Sequence, residues 1–386
     1  MIMYKCYINK ILGGIILIKK ILLIILAIFL IFVVYLCLPE KKVATPDSAI
    51  TLDTDAPPSY DKDFEYLSES NYADTMFNKV NPYLDELCTN DSYFAGYDGE
   101  SLHYKNYIQN GSKAHVVFVH GFTDYADKYN ELIYYFLKNG YSVSIMEHRG
   151  HGYSHRYTDD LSKVTIKSFD EYTNDFDIFV ETIVKPSLHK DEKLFAFAHS
   201  MGGAIATLYM IDHPDTFDCA ILNAPMMEIE FADIPNNLAN LIVDFSITFG
   251  MKNNYIIGFG PFSEEYDFEG HSVNSEERYK YIYELQTNNK NYQTTSGSYI
   301  WIREAIDATN KIKKNASKYT VDTLLFQASD DTTVGPNGQN YFVNHASNVS
   351  MIVVKNTKHS IFYAGNDVIY PYMDTILNFY DSHIDN

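Results

Sequence analysis

The stretch LFAFAHSMGGAIATLYMI, Leu194 to Ile211, constrains this chain more than any other. An apolar run stops at His199-Ser200-Met201-Gly202-Gly203, and a second apolar run of helical character follows. A serine between strand and helix, hemmed in by small residues, reads as a tight turn. A serine hydroxyl is a weak nucleophile until a base takes its proton, so a reactive serine must protrude from the backbone. Nearby N–H groups must also face the oxygen on which charge develops. A sharp strand-to-helix turn meets both needs. Bulky residues two before or two after the serine would clash, which is the reason for the G-x-S-x-G pattern. Here Ala198 stands at the first glycine, and a single methyl is the smallest departure. The strand before it and the helix after it favour Ser200 as a nucleophile over a purely structural turn. The Ala198 methyl is expected to leave the turn intact.

Around this stretch, strand-like and helix-like segments alternate. HVVFVH, YSVSIME, LFAFA, CAILNAP, TLLFQA and SMIVVK read as buried strands. Tyr125–Lys138, Phe169–Val184, Met201–Asp212 and Val368–Tyr380 have helical periodicity. Repeated alternation predicts an α/β domain with a mostly parallel sheet flanked by helices. Asp98-Gly99 between alternating runs predicts a hairpin. Residues 225–300 interrupt the alternation with a segment rich in Met, Phe, Ile and Gly, expected to be a cap or lid insertion.

Ile21 to Leu38, ILLIILAIFLIFVVYLCL, is uncharged. As a helix it would span about 27 Å, close to the hydrocarbon thickness of a bilayer. Lys5, Lys10, Lys19 and Lys20 precede it, which favours a cytoplasmic N-terminus with the large domain on the extracytoplasmic side. A cleaved signal peptide is the rival reading. The run ends at Cys37-Leu38-Pro39, without the small residues of a cleavage site, which favours an uncleaved anchor. The expected organisation is therefore a cytoplasmic segment over 1–20, a transmembrane helix over 21–38, a flexible linker over 39–62 and a catalytic domain over 63–386. Pro39, Pro46, Pro57 and Pro58 mark the linker.

The formal net charge is −20, and setting aside the four Lys and one Glu of residues 1–40 makes the remainder more acidic still. Without clustered Lys and Arg, nucleic acid is not an expected partner. Cys6, Cys37, Cys88 and Cys219 form no C-x-x-C pair, and no metal or other cofactor is expected. The Asn-X-Ser sequons at Asn90, Asn110, Asn315 and Asn348 are what an Asn-rich chain produces by chance.

On AHSMGG, on VVFVHGFTDYADKYNELIYYFLKNGYSVSIMEHRGHGYS and on SYIWIREAI, the chain resembles the α/β-hydrolases, specifically their lysophospholipase and monoacylglycerol lipase branch. The resemblance covers roughly residues 65–382. It implies an α/β-hydrolase fold with a cap and hydrolysis of carboxylic esters through a Ser-Asp-His set, with a lipid ester as substrate. It also implies that the oxyanion is held by the N–H of Met201, which follows the serine, and by that of Phe122 in the His120-Gly121-Phe122 loop. His120 then shapes that loop, and the turn from Glu147 to Ser154, with His148 and His151, supports the site from below.

The order Ser, Asp, His leaves two segments. Asp331-Thr332-Thr333-Val334 fits the D-x-x-V pattern of the family, which favours Asp331 as the acid over its neighbour Asp330. His359, after the last expected strand, is the candidate base, with His345 as its rival. Short-chain carboxylesterase and aminopeptidase-like activities on the same fold are the alternatives, and a non-catalytic surface-binding protein is a further one.

Overall fold

The computed structural model describes residues 2–38, 41–231 and 234–384. Met1, Pro39, Glu40, Ala232, Asp233, Asp385 and Asn386 belong to the expected N-terminal segment, linker, cap and C-terminal end, and lie outside the described residues. In chain order the strands are β1 (Ile50–Thr51), β2 (Asn90–Ala95), β3 (Ser101–Tyr107), β4 (His115–Val119), β5 (Ser142–Met146), β6 (Lys163–Val164), β7 (Leu194–His199), β8 (Cys219–Asn223), β9 (Ser296–Gly297), β10 (Asp322–Ala328) and β11 (Val349–Val354). The principal helices are α1 (Ile2–Leu36), α2 (Asn130–Lys138), α3 (Asp170–Phe179), α4 (Met201–Asp212), α5 (Asn236–Thr248), α6 (Glu276–Asn288), α7 (Tyr299–Asn315), α8 (Pro336–His345) and α9 (Asn366–Asp381).

Nine strands form one sheet in the order β1-β11-β10-β8-β7-β4-β5-β3-β2. Only the pairings of β3 with β2 and β5 are antiparallel. The β2–β3 hairpin turns at Asp98-Gly99, as expected. Strands β4, β5, β7 and β8 are buried along their whole length, because helices cover both faces. Side chains alternate across β7: Phe195 and Phe197 join the core under α2 and α9, while Ala196 and Ala198 face the core that holds α4. Small residues on that second face let α4 lie close to the sheet. Between β8 and β10 the chain leaves the sheet to build α5, α6 and the short β9, which pairs with β6, and returns through α7.

Two expectations change. The N-terminal helix runs from Ile2 to Leu36 rather than beginning at Ile21, because no proline interrupts residues 2–20 and several of them are apolar. It includes Lys19–Leu36, a stretch long and apolar enough to cross a bilayer, although a signal sequence passes the same test. The second change concerns residues 39–62, which are not a free tether where they are described. Val43 is stitched to α8, its N–H donating to Asn337 Oδ1 at 2.9 Å and its carbonyl accepting from Asn340 Nδ2 at 2.9 Å. Strand β1 then adds to the sheet edge beside β11, with Ile50 opposite Ile352. Farther on, Ser59 N, Lys62 Nζ and Tyr66 Oη converge on the buried Asp374 carboxylate at 2.8, 3.0 and 2.7 Å. Prolines and small residues set a weak local preference; an open sheet edge and a buried carboxylate override it. Cys37, Cys88 and Cys219 are free thiols.

Candidate active site

The carboxyl ends of β4, β7, β10 and β11 lie on one side of the sheet, where ligands of open α/β sheets bind. At the end of β7, Ser200 takes φ 52° and ψ −120°, a conformation that non-glycine residues rarely adopt. Such strain costs roughly 1–3 kcal/mol and persists only where the surroundings hold it. Here Ser200 N donates to Asn223 O at 3.1 Å, and Ser200 O accepts from Met226 N at 2.8 Å. A Cβ on Gly202 would run into the Val119 carbonyl, so helix α4 starts against β4 only because that residue is glycine. Ala198 is fully buried and its methyl lies within the core beside α4, where it leaves the turn intact.

The turn aims Ser200 Oγ at His359, whose Nε2 lies 2.8 Å away. His359 Nδ1 lies 2.7 Å from Asp331 Oδ2. The other carboxylate oxygen, Oδ1, accepts from Thr333 N at 2.8 Å and Val334 N at 3.1 Å, which fixes the Asp331 rotamer. An Nδ1–H donated to the carboxylate leaves Nε2 as the acceptor that faces the serine hydroxyl. Burial pushes the Asp331 carboxyl up, but the His359 charge, their hydrogen bond and the two amides outweigh it and hold the pKa below its ordinary value. Asp330 is exposed and bonds to Ser329 Oγ at 2.8 Å. His345 is likewise exposed, bonding to Tyr341 O at 2.7 Å and stacking on the Tyr341 ring. Neither reaches the serine.

The loop after β4 comes close to the serine. A Cβ on Gly121 would meet Asp124 Oδ2 at 2.8 Å and Ser200 Cβ at 3.2 Å, so this approach also needs glycine. His120 donates from Nδ1 to Gly121 O at 2.8 Å and accepts at Nε2 from His148 N at 2.8 Å. It braces the loop rather than facing the serine. Among the described residues, the amides of Phe122 and Met201 have no hydrogen-bond acceptor. The Glu147–Ser154 turn is structural: the buried Glu147 carboxylate gathers Ala126 N, Tyr153 N and His103 Nδ1 at 3.0, 2.7 and 2.9 Å. Burial raises the Glu147 pKa, but the His103 hydrogen bond and charge prevail and bring it down to about 2.

Three supporting residues were not singled out from the sequence. Asp124 Oδ2 accepts from Gly121 N and Tyr129 Oη at 3.1 and 2.7 Å, while its Oδ1 pairs with Lys128. Asn223 donates to His199 Nδ1 at 2.9 Å and accepts from Tyr372 Oη at 2.8 Å. His199, whose ring lies 4.8 Å from that of His359, is held neutral by burial and by the His359 charge, its pKa lowered to about 3. It therefore places no second positive charge beside His359. No sequence pattern marks Asn223, whose partners His199 and Tyr372 are distant in the chain, whereas Asp124 bonds within its own loop to Gly121, Lys128 and Tyr129, contacts that arise only once the loop is folded. Among the described residues, no cluster of His, Cys, Asp and Glu could hold a metal ion.

Residues 110–365, about two thirds of the chain, match the family described as serine aminopeptidase S33 (Hydrolase_4). The chain belongs to this family. Lysophospholipase L2 of Escherichia coli K12 is 27% identical to it over 264 residues, covering 66% of this chain and 77% of the relative. The monoglyceride lipase homolog of Monkeypox virus is 28% identical over 250 residues, covering 64% and 82%. Among solved structures, a soluble variant of the Saccharomyces cerevisiae monoglyceride lipase in complex with a substrate analog aligns with a TM-score of 0.62 at 20% identity, covering 76% of this chain and 94% of that one. The fold of this S33-family chain is the α/β-hydrolase fold, and its relatives place it on the lysophospholipase and monoglyceride lipase side of the family.

The close contact at Gly202 makes a specific expectation. Gly202→Ala should slow labelling of Ser200 by a fluorophosphonate by ~100-fold or more, because it displaces the start of α4 and its amide. Ala198→Gly should label within about threefold of wild type, since only a tolerated methyl is removed. Labelling of Gly202→Ala at the wild-type rate contradicts this account of the turn.

Proposed function

We propose that the chain is a membrane-anchored serine hydrolase that cleaves the carboxylic ester of a single-chain lipid, a lysophospholipid or a monoacylglycerol. The observation that carries this reading is the contact chain Ser200 Oγ–His359 Nε2 and His359 Nδ1–Asp331 Oδ2, with the loop carrying Gly121 and Phe122 close to Ser200. In the proposed reaction, Ser200 Oγ attacks the ester carbonyl carbon while His359 Nε2 takes the hydroxyl proton. Asp331 holds the imidazole and balances its charge. The Met201 and Phe122 N–H groups bind the oxyanion, and His359 returns the proton to the departing glycerol oxygen. Water, deprotonated by the same histidine, then attacks the acyl-Ser200 ester and releases the fatty acid.

The choice of a lipid ester rests on the kinship with lysophospholipase L2 and the monoglyceride lipase homolog. The apolar cap supports it. Leu241 and Phe245 on α5 and Phe249 just past its end, spaced four residues apart, are exposed. Helix α5 touches the end of α1, where Asn237 Nδ2 donates to Tyr35 O at 3.3 Å. An apolar stretch of α1 and an apolar cap side by side suit an enzyme that meets its substrate at a bilayer. The lysines before the apolar run support an N-terminus in the cytoplasm and a catalytic domain on the other side.

A hydrolysis panel tests the activity. Lysophospholipids and monoacylglycerols should turn over faster than short-chain esters and aminoacyl amides, and Ser200→Ala should lose at least ~1,000-fold in kcat. Rapid cleavage of aminoacyl amides without lipid turnover would establish the aminopeptidase reading instead.

The anchor is tested separately. The chain carrying an N-terminal tag should remain in the pellet after alkaline carbonate extraction with the tag attached. Loss of the tag from the mature protein would show a cleaved signal peptide.

A further inference from the structure

We propose that Trp301, the single tryptophan of the chain, is a positioning residue that holds the Phe122 amide in the oxyanion hole and ties it to the cap. The proposal rests on the reading of Ser200 as nucleophile and Phe122 as oxyanion donor.

An oxyanion donor works only if its N–H is fixed before the reaction begins. The loop that carries Phe122 is well secured on either side. Gly121 N bonds to Asp124 and Tyr129, and Asp124 N bonds back to Gly121 O. Thr123 sits at φ 63°, so the loop stores strain beside the donor. Yet among the described residues neither the N–H nor the C=O of Phe122 takes part in a hydrogen bond. What fixes this residue is its side chain.

That side chain is clamped. The Phe122 ring stacks on the Trp301 indole with centroids 3.8 Å apart and planes at 23°. The His151 ring meets Phe122 edge-on at 5.7 Å and 78°. Trp301 is itself held at several points. Its Nε1–H donates to Tyr172 Oη at 3.1 Å, and its backbone N–H is capped by Ser298 Oγ at 3.3 Å. Gly297 lies so near the indole that a Cβ there would meet Cε3 at 2.8 Å. An indole that is buried, hydrogen-bonded and backed by main chain is a rigid support.

The same helical turn carries the cap. Tyr299 N donates to Asn254 O at 3.2 Å and Ile300 N to Lys252 O at 2.9 Å. Ile257 N donates to Tyr299 Oη at 3.2 Å. The first turn of α7 thus holds residues 252–257 through Tyr299 and Ile300 and the oxyanion loop through Trp301. A cap seated on its substrate and a donor set for the transition state share one support.

The test uses the full chain, with kcat expressed per Ser200 titrated by fluorophosphonate. Trp301→Leu, which removes the stack, should lower kcat for a monoacylglycerol by ~10- to 100-fold with KM within about twofold, since a donor misplaced by an ångström loses most of its effect. Trp301→Phe, which restores an aromatic face, should recover most of that loss. Phe122→Ala keeps the amide but removes the clamped ring. It should lose as much as Trp301→Leu, and the double variant should lose no more than either alone. A trifluoromethyl ketone that forms a tetrahedral oxyanion on Ser200 should bind more weakly to Trp301→Leu by the factor seen in kcat/KM. Binding of that ketone should also change the fluorescence of the single tryptophan in the wild type.

If Trp301→Leu fails to fold, Phe122→Ala alone carries the test. A kcat within twofold of wild type in Phe122→Ala, losses that multiply in the double variant, or a loss confined to KM would each overturn the positioning role. Those results require an active wild type. A wild type without Ser200-dependent turnover would instead overturn the reading on which the proposal rests.

Discussion

The packing of α4 against β4 at Gly202 is the constraint on which the site depends. Ser200 can hold its left-handed backbone conformation only because the helix after it starts in contact with the Val119 carbonyl and because Asn223 and Met226 grip its main chain. The strain, of order 1–3 kcal/mol, is small beside the burial of the surrounding sheet. It has two geometric consequences. The hydroxyl is lifted off the end of β7 toward His359, and helix α4 begins at Met201, the next residue. Gly121 repeats the device on the facing loop, where the absence of a side chain lets the main chain approach Ser200.

Electrostatics around this frame set the His359–Asp331 pair apart from the buried rings beside it. His359 is paired with Asp331, and the Asp331 carboxylate is held to the ionised side by that pairing and by two amides. The rings of His120, His148, His151 and His199 are buried, and burial moves each of them toward the neutral form. As pH falls below the ordinary histidine range, the unfolded chain takes up protons that these folded rings refuse, so each of them makes the fold less stable in acid. Neutral rings suit a bracing role: His120 accepts a backbone N–H from His148, which an imidazolium cannot do.

The sheet and the turn at Ser200 were legible because each is written in a local pattern: apolar runs of strand length, then small residues around one serine. Distinguishing Asp331 from Asp330 needed a family pattern, since adjacent aspartates look alike in sequence. In the structure the difference is that Asp331 turns inward onto Thr333 and Val334 while Asp330 faces solvent. Residues 41–62 misled because their prolines report only what the segment avoids, whereas its partners, β11 and Asp374, lie some 300 positions away. The Phe122–Trp301 stack was equally invisible, since both residues sit in segments that resemble the family and nothing in either names the other.

Anchor, cap and site combine into one physical proposal. Residues 41–62 lie along the domain edge, so the domain sits close to the end of α1, and α5 with the residue after it exposes Leu241, Phe245 and Phe249 nearby. The central claim, however, is chemical: Ser200 forms an ester with the acyl chain of its substrate. Rapid acid quenching of the wild-type enzyme during monoacylglycerol turnover, followed by peptide mass spectrometry, measures this directly. The account predicts a transient mass increase equal to one acyl group on the peptide carrying Ser200. Steady turnover with no acyl adduct at any time, or an adduct on a different residue, would contradict it.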